Sequence, residues 1–425
     1  MATKNLRKGV IGVVLTSVVL TGAGTGCAAN DAAQGTQTVA EKEGGTETAG
    51  NAQGQEIVVW TQMMDNEAAL LQEYANQWAA ETGNTVSVIS QQTDIQQFSQ
   101  AANSKGGPDG MFGIPNDQLA NYVSANLVEE IPDGVCQDSD FVDAAVLAGS
   151  VNGRKYGYPI SVETPFLFYN TERIPEVPKT WEEMVELAKD NGGIVYEATS
   201  VYYNLGMLRA FDSYIFKETD GGYDTSDIGL GNANAVKAYT FVNQLSNEYG
   251  FFSSDITYDM AKSSFQNGEA AFYIGGAWDV AGFTETGTPF GVSDMPSLNG
   301  KDFVTPVGTY VGFVSAKSDA KEETFALYQY LVDNASVALY EEGGRIPAAY
   351  KAQELIDNAS EATRAQIAQC EKGEPLPTVS EMGLIWQPFS DNMKLMFTGT
   401  ISPEEAAGYI EQQVKESVEM MQSGQ

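Results

Sequence analysis

From residue 56 onward, short β-rich runs alternate with helical stripes, and a chain that returns from each helix to a new strand needs parallel crossovers. Residues 56–60 (EIVVW) read as a strand. Residues 63–83 then carry Leu70, Leu71, Tyr74 and Trp78 on one helical face and stop at Gly83, and residues 86–89 are strand-like again. This β-α-β opening predicts an α/β lobe. The alternation continues through a long β-rich stretch at 158–170 (YPISVETPFLFYN), interrupted by Glu163 and Pro165. A helix is predicted to open after Pro178, where Thr180 and Glu183 have capping-box spacing, with Trp181 as a packing residue. Further helices are predicted over 235–245, 258–266 and 322–334, with strands at 270–274, ending at Gly275-Gly276, and at 311–315. The Tyr202-Tyr203 pair reads as loop, and a last amphipathic helix starts near Ser402-Pro403. No internal repeat is visible.

The chain has 425 residues. Single hydrophobic cores stop growing near about 250–300 residues, so two lobes are expected. The N-terminus is set apart from them. Lys4, Arg7 and Lys8 precede an apolar run over residues 9–20, long enough for a signal segment and too short to span a bilayer stably. Cys27 follows the small residues Ala23, Gly24, Thr25 and Gly26. This arrangement resembles a bacterial lipoprotein signal, which implies cleavage after residue 26, lipidation of Cys27 and attachment to the membrane by that lipid. Between Cys27 and residue 55 there is no aromatic side chain, and Val39 is the only aliphatic larger than alanine. Nothing there offsets the entropy of ordering the chain, so residues 27–55 read as a flexible linker.

Composition narrows the chemistry. Acidic residues number 57 against 23 basic ones, a net charge of −34, and there is no histidine. Removing three positive charges with the signal leaves 20 − 57 = −37. Such a chain is a poor partner for nucleic acid, whose recognition depends on clustered Lys and Arg. Histidine-based triads, general bases and zinc or haem sites are excluded. No phosphate-binding glycine loop, dinucleotide fingerprint or CxxC is present, and Asp220, Asp224 and Asp227 lack calcium-loop spacing and read as a solvated acidic loop. No cofactor is expected. Cys136 and Cys370 are too few for a disulfide framework.

What remains are carboxylates beside aromatics. Neutral sugars stack their C–H faces on such rings, while polar side chains hydrogen-bond their hydroxyls. The candidates are Trp278 after the Gly-Gly pair, Trp386 in a Pro-flanked segment, Tyr202 with Tyr203, and Glu163. A charge inside an apolar run must reach a cleft or be paired, which makes Glu163 the sharpest of them.

The order of short motifs now becomes informative: GPDGMF at 107–112, NLVEEI at 126–131, NGRKYGYPI at 152–160 leading to Tyr169-Asn170, PKTWEE at 178–183, and FQNGEA at 265–270 leading to Trp278. Together they resemble the extracellular solute-binding proteins of bacterial ABC sugar importers, in the maltose/maltodextrin-binding branch. The resemblance implies two α/β lobes of the periplasmic-binding-protein type (type II), a hinge crossed more than once, and a ligand cleft between them. It divides the chain into one lobe of residues 56–162 with 308–352 and another of 163–307 with 353–425. It also implies a monomeric, non-catalytic receptor, lipid-anchored at the outer face of the membrane, that delivers a neutral oligosaccharide to a permease. By the resemblance Glu163 binds hydroxyls at the first hinge crossing, and Tyr202, Trp278 and Trp386 stack on sugar rings. Asn116 and Asp117 stand where the family offers polar contacts, Asp65 and Glu67 lie on the same lobe edge, and Arg345 in GGRIP is either a ligand contact or half of an ion pair. Gly113 and Val280 depart from the family pattern by replacing aromatics. Cys136 falls in the first lobe and Cys370 in the second by that layout, so a bridge would lock the hinge and free thiols are expected. Rival readings are a secreted glycoside hydrolase working through paired carboxylates, and a surface adhesin.

Overall fold

The computed structural model describes residues 54–220, 222–356 and 359–423. The signal segment, Cys27 and all of the linker but its last two residues lie outside the described residues. The linker's end is not free chain, because the Gln55 N–H donates to Asn84 Oδ1 (2.8 Å) and its carbonyl accepts from the Thr85 N–H (2.8 Å).

Two sheets organise the unit that begins at Ala52. The first has six strands in the order Ile346–Pro347, Tyr158–Glu163, Gly308–Val314, Gly110–Pro115, Glu56–Thr61 and Thr85–Ser90. Its last three strands are parallel, as the β-α-β reading requires, and its other pairings are antiparallel. Helix Asp65–Thr82 makes the first crossover and ends at Gly83, whose φ of 79° is left-handed and suits a residue without Cβ. Helices cover both faces, so this sheet buries one core around Ile57, Val59, Leu71 and Phe112 and another around Phe98, Met111 and Phe313.

The second sheet has the order Phe290–Ser293, Phe166–Asn170, Phe272–Gly275 and Ile194–Val195. Its core gathers Phe166, Phe168, Phe265, Tyr273 and Phe283. Trp181 is fully buried there, edge-on to Phe241 at 6.0 Å. The helix it opens is capped through Thr180, which accepts from the Glu183 N–H, while the Glu183 carboxylate reaches the N–H of Lys179, one residue earlier than a capping box uses.

The chain crosses between the sheets at Thr164-Pro165, again at Thr305-Pro306, and a third time on the way to Glu374. Thr164 Oγ1 donates to the Pro306 carbonyl (2.9 Å) and pairs with Thr305 Oγ1 (2.6 Å). Glu374 closes the bundle, its carbonyl accepting from the Val307 N–H (2.8 Å). Three crossings tied this closely restrict relative motion of the lobes to a hinge.

Four readings are corrected here. Tyr202 and Tyr203 are not in a loop but open helix Val201–Ala210. Of the three acidic residues read as a loop, Asp220 does sit in a turn, but Asp224 and Asp227 stand on strand Gly222–Ile228, paired with Phe216–Thr219, where the Asp224 carboxylate accepts from Ser226 Oγ (2.6 Å). The helix expected to end at Asn334 continues to Gly343 because its buried face persists through Leu339. Cys370 was placed with the second lobe, yet its side chain joins the same core cluster as Cys136, because helix Glu361–Cys370 packs against strands of both sheets. Both cysteines are free and buried. Burial pushes the Cys136 thiol up to about 12, so it stays an unreactive thiol at neutral pH.

Candidate functional site

The hinge crossings form the floor of a cleft with two chambers. The first, about 330 Å³, is bounded by Asn116 and Asp117 on one side and by Tyr202, Trp278 and Trp386 on the other, with Glu163 and Tyr310 at its base. The second, about 500 Å³, shares Glu163, Trp278 and Tyr310 with it and extends to Met64, Arg345 and Gln366. Trp278 and Tyr310 therefore stand where the chambers meet.

Trp278 keeps 39% of its surface exposed and Trp386 37%, unusual for tryptophans inside a cleft and what a stacking face requires. Trp278 sits on the short turn Ala277–Asp279 after a buried strand. Asp279, wholly buried, fixes that turn: its carboxylate accepts from the Tyr273 hydroxyl (2.8 Å) and the Tyr258 hydroxyl, and pairs with Lys262 Nζ (3.0 Å). The indole lies over Gly276, where an added Cβ would come within 2.3 Å of the ring. Trp386 opens helix Trp386–Phe397, with Pro388 in its first turn. Tyr202 is held edge-on to Tyr203 at 5.2 Å, and burial raises its phenol well above the usual tyrosine range, so it remains neutral.

Glu163 ends the strand that leads into the first crossing. It lines both chambers, and its carboxylate makes no hydrogen bond or salt bridge to the described residues. Gly308 opposite leaves room for it, since a Cβ there would come within 3.0 Å of its side chain. Burial raises the Glu163 pKa, partly opposed by Arg345. The folded state then binds a proton more readily than the unfolded state, so the stability that goes with the protonated form is lost as pH rises through the folded pKa. Glu163→Gln is accordingly expected to unfold at a higher temperature than the parent at neutral pH, the difference closing as pH falls toward the ordinary value of 4.5. Thermal scans of both proteins between pH 4 and 8 check this, and equal melting temperatures throughout would contradict it.

The polar residues divide. Asp117 faces the first chamber, its carboxyl raised by loss of solvation against two backbone N–H donors. Asn116 lines the same wall but spends its side-chain carbonyl on the Thr309 N–H (3.0 Å), tying the turn Asn116–Gln118 to strand Gly308–Val314. Asp65 and Glu67 do not line either chamber. Asp65 accepts from Ser90 Oγ (2.8 Å) outside the cleft. Glu67 is 1% exposed and grips Arg345 with both oxygens (2.7 and 3.2 Å), while also accepting from the Met64 N–H (2.9 Å). Of the two roles open to Arg345, the structure realises the ion pair, with the guanidinium stacked 4.1 Å from the Tyr310 ring centre.

Three cleft residues had no sequence signal: Tyr310 inside a strand, Thr309 beside it, and Gln366 inside a helix. Thr309 Oγ1 and Gln366 Oε1 are buried without a partner. Tyr122 Oη and Trp181 Nε1, away from the cleft, are buried without a partner as well, so such atoms are not particular to the cleft.

Two lobes, a tied hinge and a cleft of open aromatic faces with unspent polar groups define a ligand-binding receptor. The chain belongs to the bacterial extracellular solute-binding proteins, whose family profile matches residues 73–366. These are binding proteins for transport, not enzymes, which disposes of the hydrolase alternative. A galactooligosaccharide-binding protein of Bacillus subtilis (strain 168) is 32% identical over 333 residues, 75% of this chain and 79% of that protein. A maltooligosaccharide ABC transporter solute-binding lipoprotein of Streptococcus pneumoniae (strain ATCC BAA-255 / R6) is 24% identical over 389 residues, 87% of this chain and 90% of that protein. Among solved structures, a cyclo/maltodextrin-binding protein complexed with maltotetraose superposes with a TM-score of 0.81 at 26% identity, covering 86% of this chain and 98% of that one.

Proposed function

We propose that this protein is a receptor, tethered outside the cell by a lipid on Cys27, that captures a neutral oligosaccharide in the hinge cleft and delivers it as a monomer to the permease of an ABC importer. The observation that carries the reading is the set of three aromatic faces, Tyr202, Trp278 and Trp386, open to one chamber opposite the unpaired Glu163. Aromatic faces gain from the C–H surface of a pyranose, and a carboxylate accepts its hydroxyl protons. Neutrality follows from charge: the charged groups lining the first chamber, Asp117 and Glu163, are acidic, Arg345 in the second is paired with Glu67, and the −34 of the chain repels anions.

The first choice of ligand is an α-glucan of the maltodextrin type, supported by the likeness to the maltotetraose complex. A galactooligosaccharide is the second reading, favoured by the 32% identity to the Bacillus subtilis protein. Calorimetric titration with both series, from disaccharide to tetrasaccharide, distinguishes them. Saturable heat with the α-glucans alone supports the first reading, with the galactose series alone the second, and no heat with either removes the oligosaccharide assignment.

A further inference from the structure

We propose that Tyr258, Tyr273 and Lys262, none of which lines either chamber, are positioning residues: through the Asp279 carboxylate they hold the Trp278 indole in its stacking orientation, and affinity for the ligand depends on them. The inference rests on the oligosaccharide reading above and deepens it, from the stacking face to what keeps that face in place.

Asp279 follows Trp278 directly, and both of its carboxylate oxygens are engaged. Oδ1 accepts from the Tyr258 hydroxyl and pairs with Lys262 Nζ (3.0 Å); Oδ2 accepts from the Tyr273 hydroxyl (2.8 Å) and faces the Gly276 N–H (3.4 Å). Tyr258 and Lys262 stand one turn apart on one face of helix Tyr258–Gln266, which lets both reach the same oxygen. Tyr273 belongs to strand Phe272–Gly275. The turn that carries Trp278 is therefore pinned to two separate elements. Burial, and then the neighbouring carboxylate, raise both phenols above the usual tyrosine range, so both remain donors at neutral pH.

The backbone before the turn is shaped for the same purpose. Neither Gly275 nor Gly276 has a positive φ, so what they supply is room. A Cβ on Gly275 would come within 2.5 Å of Asp279 Oδ2, and one on Gly276 would run into the indole. In a turn of three residues, Ala277–Asp279, the carboxylate at the end cannot shift without turning the tryptophan before it. An ion pair with one member wholly buried adds little net stability over apolar packing of the same shape, and its best attested use is to fix one arrangement among several. Here the arrangement fixed is that of a side chain left 39% exposed, which its own packing does not hold. Trp386 sits on a different element, helix Trp386–Phe397, and so provides the control.

The test is a mutant cycle on the binding of maltotetraose, or of the galactose tetrasaccharide where calorimetry selects that series. Tyr258→Phe, which removes one hydroxyl outside the cleft, is made in the parent, in Trp278→Ala and in Trp386→Ala, and each protein is titrated. The expected result is about fivefold weaker binding from Tyr258→Phe in the parent and in Trp386→Ala, with no further loss in Trp278→Ala. The same loss in all three backgrounds, no loss in the parent, or a loss that vanishes with Trp386→Ala overturns the assignment. If Tyr258→Phe does not fold, Lys262→Met takes its place with the same expected pattern. Failure of both to fold shows that the network serves the fold alone and also overturns it. Those outcomes leave the parent's own binding intact. Failure of the parent to bind either tetrasaccharide would instead remove the oligosaccharide reading, and this inference with it.

Discussion

Trp278→Ala is expected to weaken oligosaccharide binding by about 1–3 kcal/mol, roughly five- to 150-fold in Kd, while leaving cooperative unfolding intact. The affinity loss follows from position, since Trp278 borders both chambers while Trp386 lines only the first. Trp386→Ala should therefore cost less. Retention of the fold follows from packing: Trp278 is already 39% exposed, and its turn is held by Asp279 through Tyr273, Tyr258 and Lys262, not by the indole. Titration calorimetry together with a thermal scan separates the two effects. If Trp278→Ala abolished the unfolding transition, the residue would be core and not platform.

Arg345→Met is expected to have the larger effect on stability, about 3–5 kcal/mol, because it strands a carboxylate in the interior. Glu67 is 1% exposed, and both of its oxygens face the guanidinium. Gly343 packs so closely that a Cβ there would come within 2.3 Å of Glu67 Oε1, leaving the carboxylate little room to escape. The double variant Glu67→Gln with Arg345→Met removes the stranded charge and should regain most of the loss, as breaking one half of a buried pair costs more than removing both. Denaturant midpoints of the parent, the single variant and the double variant check this. A single variant of parental stability with greatly weakened binding would return Arg345 to the ligand contacts.

Much of the fold was legible because its signals are local. The opening strand, its helix and Gly83 follow from periodicity and a left-handed terminus, and the interruption at Glu163 and Pro165 marks where the chain leaves one sheet for the other. Glu163 could be singled out by the cost of a charge in an apolar run, and Trp278 by the Gly-Gly pair before it. Glu67 and Arg345 could not be resolved in the same way. They are 278 residues apart in sequence, and only the fold shows that they consume each other. Tyr310 reads as an ordinary strand residue until Arg345 stacks on it, and Gln366 as an ordinary helix residue until its neighbours fail to bond it. Cys370 was misplaced for a related reason: its helix bridges the lobes, and chain order does not say which core a bridging helix enters.

The most direct test of the central claim is a crystal structure of the protein with the tetrasaccharide that binds it most tightly in solution. The account predicts sugar rings stacked on Trp278 and Trp386 and a hydroxyl bonded to Glu163. A saccharide bound outside the cleft, or within it with both indoles still open to solvent, would contradict the account.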